Sequence, residues 1–325
     1  MGIKHLNRFF KENAHESTKF ITLSELSGKK IAVDISIYIY KYATDGTLVE
    51  NIYLMLALFR HYNVIPIFVF DGKPPIEKKE LLAKRRKDKK EAEDEYNRLK
   101  YELTNNATID QDERQDIINN MDMLKSQFVH INKNDIENIK QLIKSYGASY
   151  YVAEGEADVL CALLTIKGNV WACLSEDMDM FVYGCPRVIR YISLLNHTAV
   201  IYDMKGILEN LGISQKELRE ICVLSGTDFS NSKNEQHATL HTTLKYFKKF
   251  RKKANNKNDF YSWLIENTNY IADIEHIKNI YKMFDLNSEE HNLNDYKNIE
   301  VTNGTIMKGE LKQILKTDGF IFLNN

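Results

Sequence analysis

Three short apolar runs, each leading into acidic residues, constrain the fold of this 325-residue chain more than any other feature. The runs are Lys30–Asp34, Ile65–Asp71 and Val170–Leu174, and the last is followed by the acid-rich segment Ser175–Asp179. Their apolar character is continuous rather than alternating, which is typical of strands buried on both faces of a parallel sheet. The sequence therefore predicts a sheet whose strands end in carboxylates.

Helical patterns lie between these runs. An apolar stripe from Ile136 to Tyr146 predicts a helix that ends before Gly147, and Tyr150–Val152 predicts a further strand. The segment Glu156–Lys167 predicts the helix that follows this strand. Strands that alternate with helices indicate an α/β fold, here a mostly parallel, twisted sheet flanked by helices.

Two regions depart from this alternation. Residues 76–133 begin with dense lysines and arginines, continue with acids and offer few apolar side chains, so we predict exposed helices that project from the core. From the residues alone, a solvated charged face and a phosphate-binding surface are equally acceptable interpretations of this segment. Beyond residue 200 the pattern is helical. A capping box at Ser214–Glu217 begins one helix, residues 231–258 show no core periodicity, and residues 309–322 predict a short helix with an apolar end.

The charge balance and the cysteines narrow the functional classes. A formal net charge of -1 means that nucleic-acid binding requires local basic patches. The four cysteines form no C-x-x-C pair and no zinc-like spacing, so we expect reduced cysteines and an intracellular location. The polar start of the chain is unlike a signal peptide, and no apolar run is long enough to span a membrane.

The acids that follow the predicted strands carry the chemistry. Ligands of open α/β sheets bind at the carboxyl ends of the strands. The acids expected at that edge are Asp34, Asp71, Glu154, Glu156, Asp177, Asp179 and Asp228. A single acid at a strand end commonly caps a helix or a turn, but several close together destabilise the fold unless a cation neutralises them.

A divalent metal is the expected counter-ion. Apart from Lys73, no lysine or arginine follows these strands directly in the sequence, and Mg²⁺ and Mn²⁺ prefer carboxylate oxygens. A pair of such ions supports phosphodiester hydrolysis. No His metal motif, nucleophile elbow or Walker loop competes, so the residues alone favour a metal-dependent phosphoesterase.

At these residues the sequence resembles the flap endonuclease and xeroderma pigmentosum group G family of structure-specific nucleases. Six short motifs, in family order and spacing, carry the resemblance over roughly residues 1–230. They are Met1–Ile3, Ile31–Ser36, Val69–Pro75, Ala153–Asp158, Ser175–Asp179 and Leu224–Phe229. The resemblance implies a PIN-like nuclease core with a helical arch insertion and a helical C-terminal region.

The resemblance also implies a division of the chain. The expected regions are an N-terminal nuclease region at 1–75, the arch or clamp at 76–133, an internal nuclease region at 134–228, and a helical region at 229–325 with a degenerate helix-hairpin-helix. A 5′ single strand would thread through the arch, whose basic residues attract its phosphates without reading bases.

Carried over residue by residue, the resemblance assigns roles. All seven acids named above become ligands of two Mg²⁺ ions, for which Mn²⁺ is expected to substitute. Lys78 and Arg85 match a basic pair that neutralises the scissile phosphate, and they join Asp34, Asp71 and Asp179 as the expected catalytic residues. Further contacts to nucleic acid are expected from Gly2, Tyr40, Lys73, Lys84 and Arg86. Tyr40 matches an aromatic that stacks on a terminal base, although a core tyrosine is an alternative.

The sequence departs from the family pattern at four places. His5 stands where relatives usually carry glycine, and the segment between Tyr42 and Ile52 is short, so we expect a reduced wedge and 3′-flap pocket. Residues 230–238 lack the Gly-x-Gly of the family's duplex-gripping hairpin, which we expect to be altered or lost. Gln313 lacks the aromatic pair of a sliding-clamp peptide.

These observations predict a Mg²⁺-dependent, structure-specific 5′ nuclease that hydrolyses DNA in replication, repair or recombination. Branched or flapped DNA is the expected partner, with no membrane and with the chain a monomer. An RNA-directed nuclease of the same family is one alternative, and a non-catalytic scaffold is another. The expected location is the nucleus or, for a viral enzyme, the site of viral DNA replication.

Overall fold

The computed structural model describes residues 3–105, 111–125, 127–229, 239–253, 259–286 and 299–322. Gly2, a predicted nucleic-acid contact, and the whole of the altered hairpin at residues 230–238 lie outside these ranges.

A mixed sheet of seven strands forms the centre of the fold. The strands are β1 (Thr18–Thr22), β2 (Lys30–Asp34), β3 (Ile65–Phe70), β4 (Ser149–Val152), β5 (Ala172–Leu174), β6 (Arg187–Ser193) and β7 (Thr198–Asp203). Their order is β1-β7-β6-β5-β2-β3-β4. Strands β4, β3, β2, β5 and β6 pair in parallel, whereas β7 pairs antiparallel with both β6 and β1. The mostly parallel sheet predicted from the apolar runs is confirmed.

Strand β2 shows why continuous apolar runs form the centre of this sheet. It pairs with β3 on one side and with β5 on the other, so it lies inside the sheet. Ala32 packs into one hydrophobic core, whereas Ile31 and Val33 pack into a second core on the opposite face. Side chains alternate between faces along a strand, so a strand buried on both faces needs apolar residues at successive positions.

Helices cover both faces. In chain order they are α1 (Leu6–Asn13), α2 (Ile35–Thr44), α3 (Leu48–His61), α4 (Lys79–Asn105), α5 (Gln111–Lys125), α6 (Lys133–Ser145), α7 (Ala157–Ile166), α8 (Asp179–Tyr183), α9 (Met204–Leu211), α10 (Gln215–Leu224), α11 (Leu240–Lys253), α12 (Phe260–Asn267), α13 (Ile274–Phe284) and α14 (Lys308–Thr317). Helices α2, α3, α6 and α14 contribute to one core, and α1 with α7 to α13 contribute to the other.

Helices α4 and α5 form the predicted exposed insertion. Of the side chains on α4, only those of Ala92 and Leu99 are buried, which agrees with the scarcity of apolar residues in this segment. The pair packs together, and Tyr96 meets Phe128 edge-on with ring centroids 5.3 Å apart. Both helices lie within the predicted insertion at residues 76–133, whereas the exact domain boundaries remain a prediction.

Helix α11 corrects the sequence interpretation of residues 231–258, which predicted no core periodicity. Leu240, Thr243, Phe247 and Phe250 lie buried on one face of this helix. Their spacing of three or four residues is that of an amphipathic helix. The pattern was hidden by the lysines between them, which point outward, and by the polar residues on either side.

None of the helices in the described part of the chain is long and apolar enough to cross a membrane.

Candidate functional site

Two neighbouring parallel strands bring the first two acids to one edge of the sheet. Asp34 ends β2 and pairs in register with Val69 of β3, so Asp71 follows one residue beyond the end of β3 on the same edge. Asp34 is 5% exposed, whereas Asp71 is exposed and accepts a hydrogen bond from the backbone N–H of Ala157 at 2.8 Å. This bond ties Asp71 to the first residue of α7.

Gly72 allows the β3 loop to pack directly against the loop that precedes α7. Its N–H donates to the carbonyl of Gly155 at 2.7 Å, and the N–H of Lys73 donates to the carbonyl of Glu154 at 3.0 Å. A Cβ atom at Gly72 would overlap the carbonyl oxygens of Ala153 and Glu154. Glycine is therefore required here for close backbone approach.

The loop after β5 carries two further acids to the same place. The Ser175 hydroxyl donates to Asp34 Oδ2 at 2.9 Å and accepts from the backbone N–H of Asp177 at 3.2 Å. Asp177 Oδ1 in turn accepts from the N–H of Asp179, the first residue of α8, at 3.0 Å. These bonds join the β2 acid to the β5 loop.

Burial and mutual repulsion disfavour the ionised forms of these acids. Burial, and then the Asp71 and Asp158 carboxylates, raise the pKa of Asp34 well above its ordinary value. Burial followed by Asp177 and Asp158 raises the pKa of Asp179 in the same way. Burial, and then Glu156, raises the pKa of Asp158 to about 7. The cluster therefore favours a cation that offsets these charges.

Two cations from the start of the insertion enter the cluster. Lys78 is 8% exposed, and its Nζ donates to Glu156 Oε1 at 2.7 Å and lies 4.5 Å from the centroid of the Phe229 ring. Arg85, on α4, pairs with Asp228 Oδ2 at 2.9 Å. The structure thus places the predicted basic pair at the acids, because the insertion returns over the sheet edge.

Lys78 keeps its proton in this setting. Burial acts to lower the pKa of Lys78, but the carboxylates of Asp158 and Glu156 outweigh burial and raise it. Burial also raises the pKa of Glu156, against the opposing effect of Lys78. The pair is therefore a charged bridge between the insertion and the sheet edge.

The structure adds the buried Asp158 to the acids that the sequence predicted. The Glu154 side chain is exposed, and the hydrogen bond from Lys73 runs to its backbone carbonyl rather than to its carboxylate. Asp158 lies in the first turn of α7, is 9% exposed and acts on the pKa of Asp34, Asp179 and Lys78. Asp158 therefore lies beside Glu156 in the buried part of the cluster, while Glu154 stays a predicted ligand with an exposed carboxylate.

The other predicted contacts lie around the cluster. Lys73, Lys84 and Arg86 are exposed. Tyr40 is 50% exposed on α2, so it is not the core tyrosine that remained an alternative. Lys89 Nζ lies 5.1 Å from the centroid of its ring, which places α4 beside this aromatic.

The donor set fits a hard divalent cation. Within the described ranges, no three His, Cys, Asp or Glu side chains are grouped closely enough to hold a metal ion as they stand. The cluster nevertheless offers only carboxylate oxygens, the donors that Mg²⁺ prefers. The buried Asp179 Oδ1 also has no hydrogen-bond partner among the described residues. Such an orphaned oxygen is costly unless a cation meets it.

Sequence models of known protein families match the two parts of the chain that form this sheet edge. A sequence model of the XPG N-terminal domain matches residues 1–92, and a model of the XPG I-region matches residues 147–228. Together they match more than half of the chain. The chain belongs to the XPG family. The first XPG region contains Asp34, Asp71 and both cations, and the second contains the remaining acids of the cluster.

The curated relatives of this chain include flap endonucleases. Flap endonuclease 1 of Meyerozyma guilliermondii is 29% identical over 249 residues, which cover 70% of this chain and 63% of the relative. That of Lodderomyces elongisporus is 26% identical over 276 residues, which cover 76% of this chain and 68% of the relative. Across the flap endonucleases compared, the chain spans 59–68% of the relative's length.

Solved structures share the XPG-family fold. The catalytic core of Rad2 in complex with DNA substrate matches with a TM-score of 0.64 at 20% identity, over 97% of this chain and 95% of that one. Flap endonuclease-1 from Methanococcus jannaschii matches with a TM-score of 0.56 at 20% identity, over 92% of this chain and 94% of that one. The predicted nuclease-core fold is therefore confirmed.

Proposed function

We propose that this chain is a Mg²⁺-dependent, structure-specific 5′ nuclease that hydrolyses DNA phosphodiesters in replication, repair or recombination. The observation that carries the proposal is the cluster of carboxylates at one sheet edge, bounded by Lys78 and Arg85. Carboxylates that repel one another this strongly lower the stability of the fold. Such a group is typical of a functional site. Membership of the XPG family and likeness to flap endonucleases support the same assignment.

The acids of the cluster would hold the metal, and all of them except Asp158 were predicted as ligands from the sequence. They are Asp34, Asp71, Glu156, Asp158, Asp177, Asp179 and Asp228. Two Mg²⁺ ions, or Mn²⁺ in their place, would supply an activated water and stabilise the leaving oxygen. Glu154 keeps the ligand role predicted from the sequence, because exposure does not exclude it: Asp71 is exposed as well.

Lys78 and Arg85 would hold the scissile phosphate. Both side chains are fixed at the cluster by single carboxylates, so an incoming phosphate can replace Glu156 or Asp228 as their partner. Lys78 remains protonated because the surrounding carboxylates raise its pKa. Two positioned cations stabilise the charge that develops on the phosphate in the transition state.

The first half of α4 and the turn before it are basic and the second half is acidic, so a single strand of nucleic acid would bind near the start of the helix. Residues 78–90 carry eight lysines and arginines against two acids, whereas residues 91–105 carry two against five acids. Phosphates are therefore attracted to the part of α4 nearest the cluster and repelled farther out. Lys84, Arg86 and Tyr40 lie in or beside the attractive part, which supports their predicted contacts to nucleic acid.

A second basic surface offers a place for duplex DNA. Lys245, Lys248, Lys249 and Lys252 follow one another at helical spacing along α11, and we call them the lysine face. They border a groove of about 580 Å³ between α1 and α11. A row of exposed lysines binds phosphates without reading sequence.

The substrate class follows from these two basic surfaces. A single strand near α4 and a duplex near α11 are the two parts of a branched or flapped DNA. The flap endonuclease 1 relatives, and the similar structure of human GEN1 in complex with Holliday junction DNA, point the same way. We also propose that the chain acts as a monomer, without a sliding-clamp peptide, inside the cell.

The test is cleavage of a 5′-labelled flap duplex with Mg²⁺, beside single-stranded DNA and RNA of the same sequence. We expect cutting at the flap junction with a 5′-phosphate on the product, and no cutting by Asp179→Ala. Loss of the RNA alone would replace the proposal by an RNA-directed nuclease. Intact substrates in all three reactions would leave only a scaffold role.

A further inference from the structure

We infer that Arg190 is a positioning residue that fixes the backbone of the Ser175–Asp179 loop, and so sets the places of Asp177 and Asp179. This inference rests on the proposed function for its consequence in catalysis. Arg190 lies on β6, next to β5 in the sheet, and is 6% exposed. It forms no part of the acid cluster itself.

The loop alternates between two sides. Ser175, Asp177 and Asp179 belong to the hydrogen-bonded chain that begins at Asp34. The residues between them, Glu176 and Met178, instead contact Arg190. A short loop whose alternate residues are held on opposite sides has little freedom to shift its acids.

Arg190 makes three contacts with those intervening residues. Its Nη2 donates to the backbone carbonyl of Glu176 at 2.8 Å, and its Nη1 donates to the Met178 sulfur at 2.7 Å. Its Nε lies 3.6 Å from Glu176 Oε2, an ion-pair distance too long for a hydrogen bond. The flat guanidinium therefore spans both residues that flank Asp177.

Glu176 ties the same loop back to the strand that carries Arg190. Its Oε1 accepts from the backbone N–H of Tyr191 at 2.6 Å. Tyr191 has φ of 55°, a left-handed conformation that a non-glycine residue adopts only at a cost, and it lies where the register of β6 and β7 shifts. The surrounding bonds must overcome that strain, which indicates a site where geometry is enforced.

Helix α1 forms hydrogen bonds with the two tyrosines against which Arg190 packs. The Asn7 amide donates to the Tyr191 hydroxyl at 2.8 Å, and its oxygen accepts from the Tyr202 hydroxyl at 2.7 Å. Arg190 lies over both tyrosine rings, with centroid distances of 4.8 and 5.8 Å. Side-chain bonds between α1 and the two tyrosines thus fix the rings against which Arg190 packs.

A packing role alone does not explain this arginine. A buried guanidinium loses hydration, and well-packed apolar residues in such places are commonly as stable or more stable. The directional bonds to Glu176 and Met178 add what an apolar side chain cannot, which is a fixed path for the backbone between Asp177 and Asp179. Residues that orient metal-binding acids in this way change metal affinity when they are removed.

The experiment compares Arg190→Met with Arg190→Lys and with Arg187→Met. Arg187 is a matched control, since it lies on the same strand and packs over Trp171, with its centroid contact at 4.9 Å. Mn²⁺ affinity is measured by electron paramagnetic resonance on the DNA-free protein, and kcat and KM are measured on the flap substrate. Thermal midpoints are recorded for each variant.

We expect Arg190→Met to lower Mn²⁺ affinity by about tenfold or more and to lower kcat with KM little changed. Arg190→Lys should recover part of the affinity, and Arg187→Met should match the unmodified protein. Normal Mn²⁺ affinity and kcat in Arg190→Met would overturn the inference, as would an equal loss in Arg187→Met.

A second variant covers the case in which Arg190→Met does not fold. Glu176→Gln keeps an acceptor for the Tyr191 N–H but removes the charge that faces Arg190, so we expect a smaller loss of Mn²⁺ affinity. An unchanged affinity in that variant would overturn the inference. If Mn²⁺ affinity depends on Arg190 while no nucleic acid is cut, the positioning role stands and the proposed function falls. No Mn²⁺ binding by the unmodified protein would overturn both.

Discussion

The acid cluster and the lysine face of α11 differ in the sign of their charge, in burial and in ion pairing. In the cluster, Asp34, Asp158 and Asp179 are buried, and Lys78 and Arg85 bridge to its acids. On α11 the lysines are exposed, and among the described residues none of the four forms an ion pair. Both regions lie in a chain whose formal net charge is only -1, so each is a local concentration of charge.

The difference separates chemistry from attachment. Burying carboxylates costs free energy, so a cluster of them is retained only where a reaction or a cation needs it. Exposed lysines cost little and gain by replacing the counterions of DNA. Changes in the cluster should therefore act on turnover and metal binding, whereas changes on the lysine face should act on affinity and its salt dependence.

The largest effect on turnover should come from replacing the buried acid at the start of α7. We expect Asp158→Asn to lower kcat by about a thousandfold, or ~4 kcal/mol of activation free energy, because it removes a buried ligand oxygen. Glu154→Gln tests the neighbouring predicted ligand and should lower kcat less, because its carboxylate is exposed to solvent. Single-turnover cleavage of a flap substrate measures both. A normal kcat in Asp158→Asn would remove Asp158 from the metal site.

Next in size is the loss of a cation from the cluster. Arg85→Ala should lower kcat by about a hundredfold with a small change in KM, because it removes a charge that acts on the transition state. Arg98→Ala is the control, since Arg98 lies on the same helix but pairs with Glu95 in the acidic half. Steady-state kinetics on the flap substrate separate the two. A loss of affinity without a loss of kcat would move Arg85 from chemistry to attachment.

The lysine face should respond differently. The double change Lys245→Glu and Lys252→Glu should weaken binding to a plain duplex by about tenfold or more and reduce the slope of log K against log salt by about two. Turnover at saturating flap substrate should be preserved. The control is Lys308→Glu with Lys316→Glu on α14, which carries the same charge change. Equal losses in both double variants would mean that binding follows total charge rather than this surface.

The smallest effect concerns stability and pH in the absence of metal. The pKa of Asp158 is raised to about 7 in the folded state, above its ordinary value near 4, so folding binds its proton more tightly. That contribution is present below pH ~4 and is lost as the pH rises towards ~7. With chelator we therefore expect the thermal midpoint to fall by a few degrees between pH ~5.5 and ~8.

Metal should abolish this dependence, because a cation stabilises the ionised acids. Scanning calorimetry with chelator and with excess Mg²⁺ at both pH values provides the comparison. Asp158→Asn should flatten the chelator curve. A midpoint that rises with pH in chelator would contradict the raised pKa of the cluster.

The sheet was predictable from the sequence because its signal is local. Continuous apolar runs such as Lys30–Asp34 can be buried only between two neighbours, and the acids that follow them must meet at one edge. That reasoning predicted Asp34, Asp71, Asp177 and Asp179 together, and the structure brings them there. Strand β6 offered no comparable signal, because Arg190 interrupts its apolar residues.

The rest depended on contacts between distant residues. Glu154 and Asp158 are four residues apart, and only the position at which α7 begins decides which of them is buried beside Glu156. The pairing of Lys78 and Arg85 with acids far along the chain follows from the way α4 returns over the edge, which no local pattern indicates. The contacts of Arg190 likewise join β6 to the loop that follows β5.

A crystal of the protein grown with Mn²⁺ and an uncleaved flap substrate would show whether the acid cluster binds the metal ions that cut DNA, with anomalous scattering to locate the ions. We expect manganese between Asp34, Glu156, Asp158 and Asp179, with Lys78 and Arg85 moved from their acids to the scissile phosphate. Manganese bound elsewhere, or an acid cluster still held by these two cations with DNA in place, would contradict this expectation.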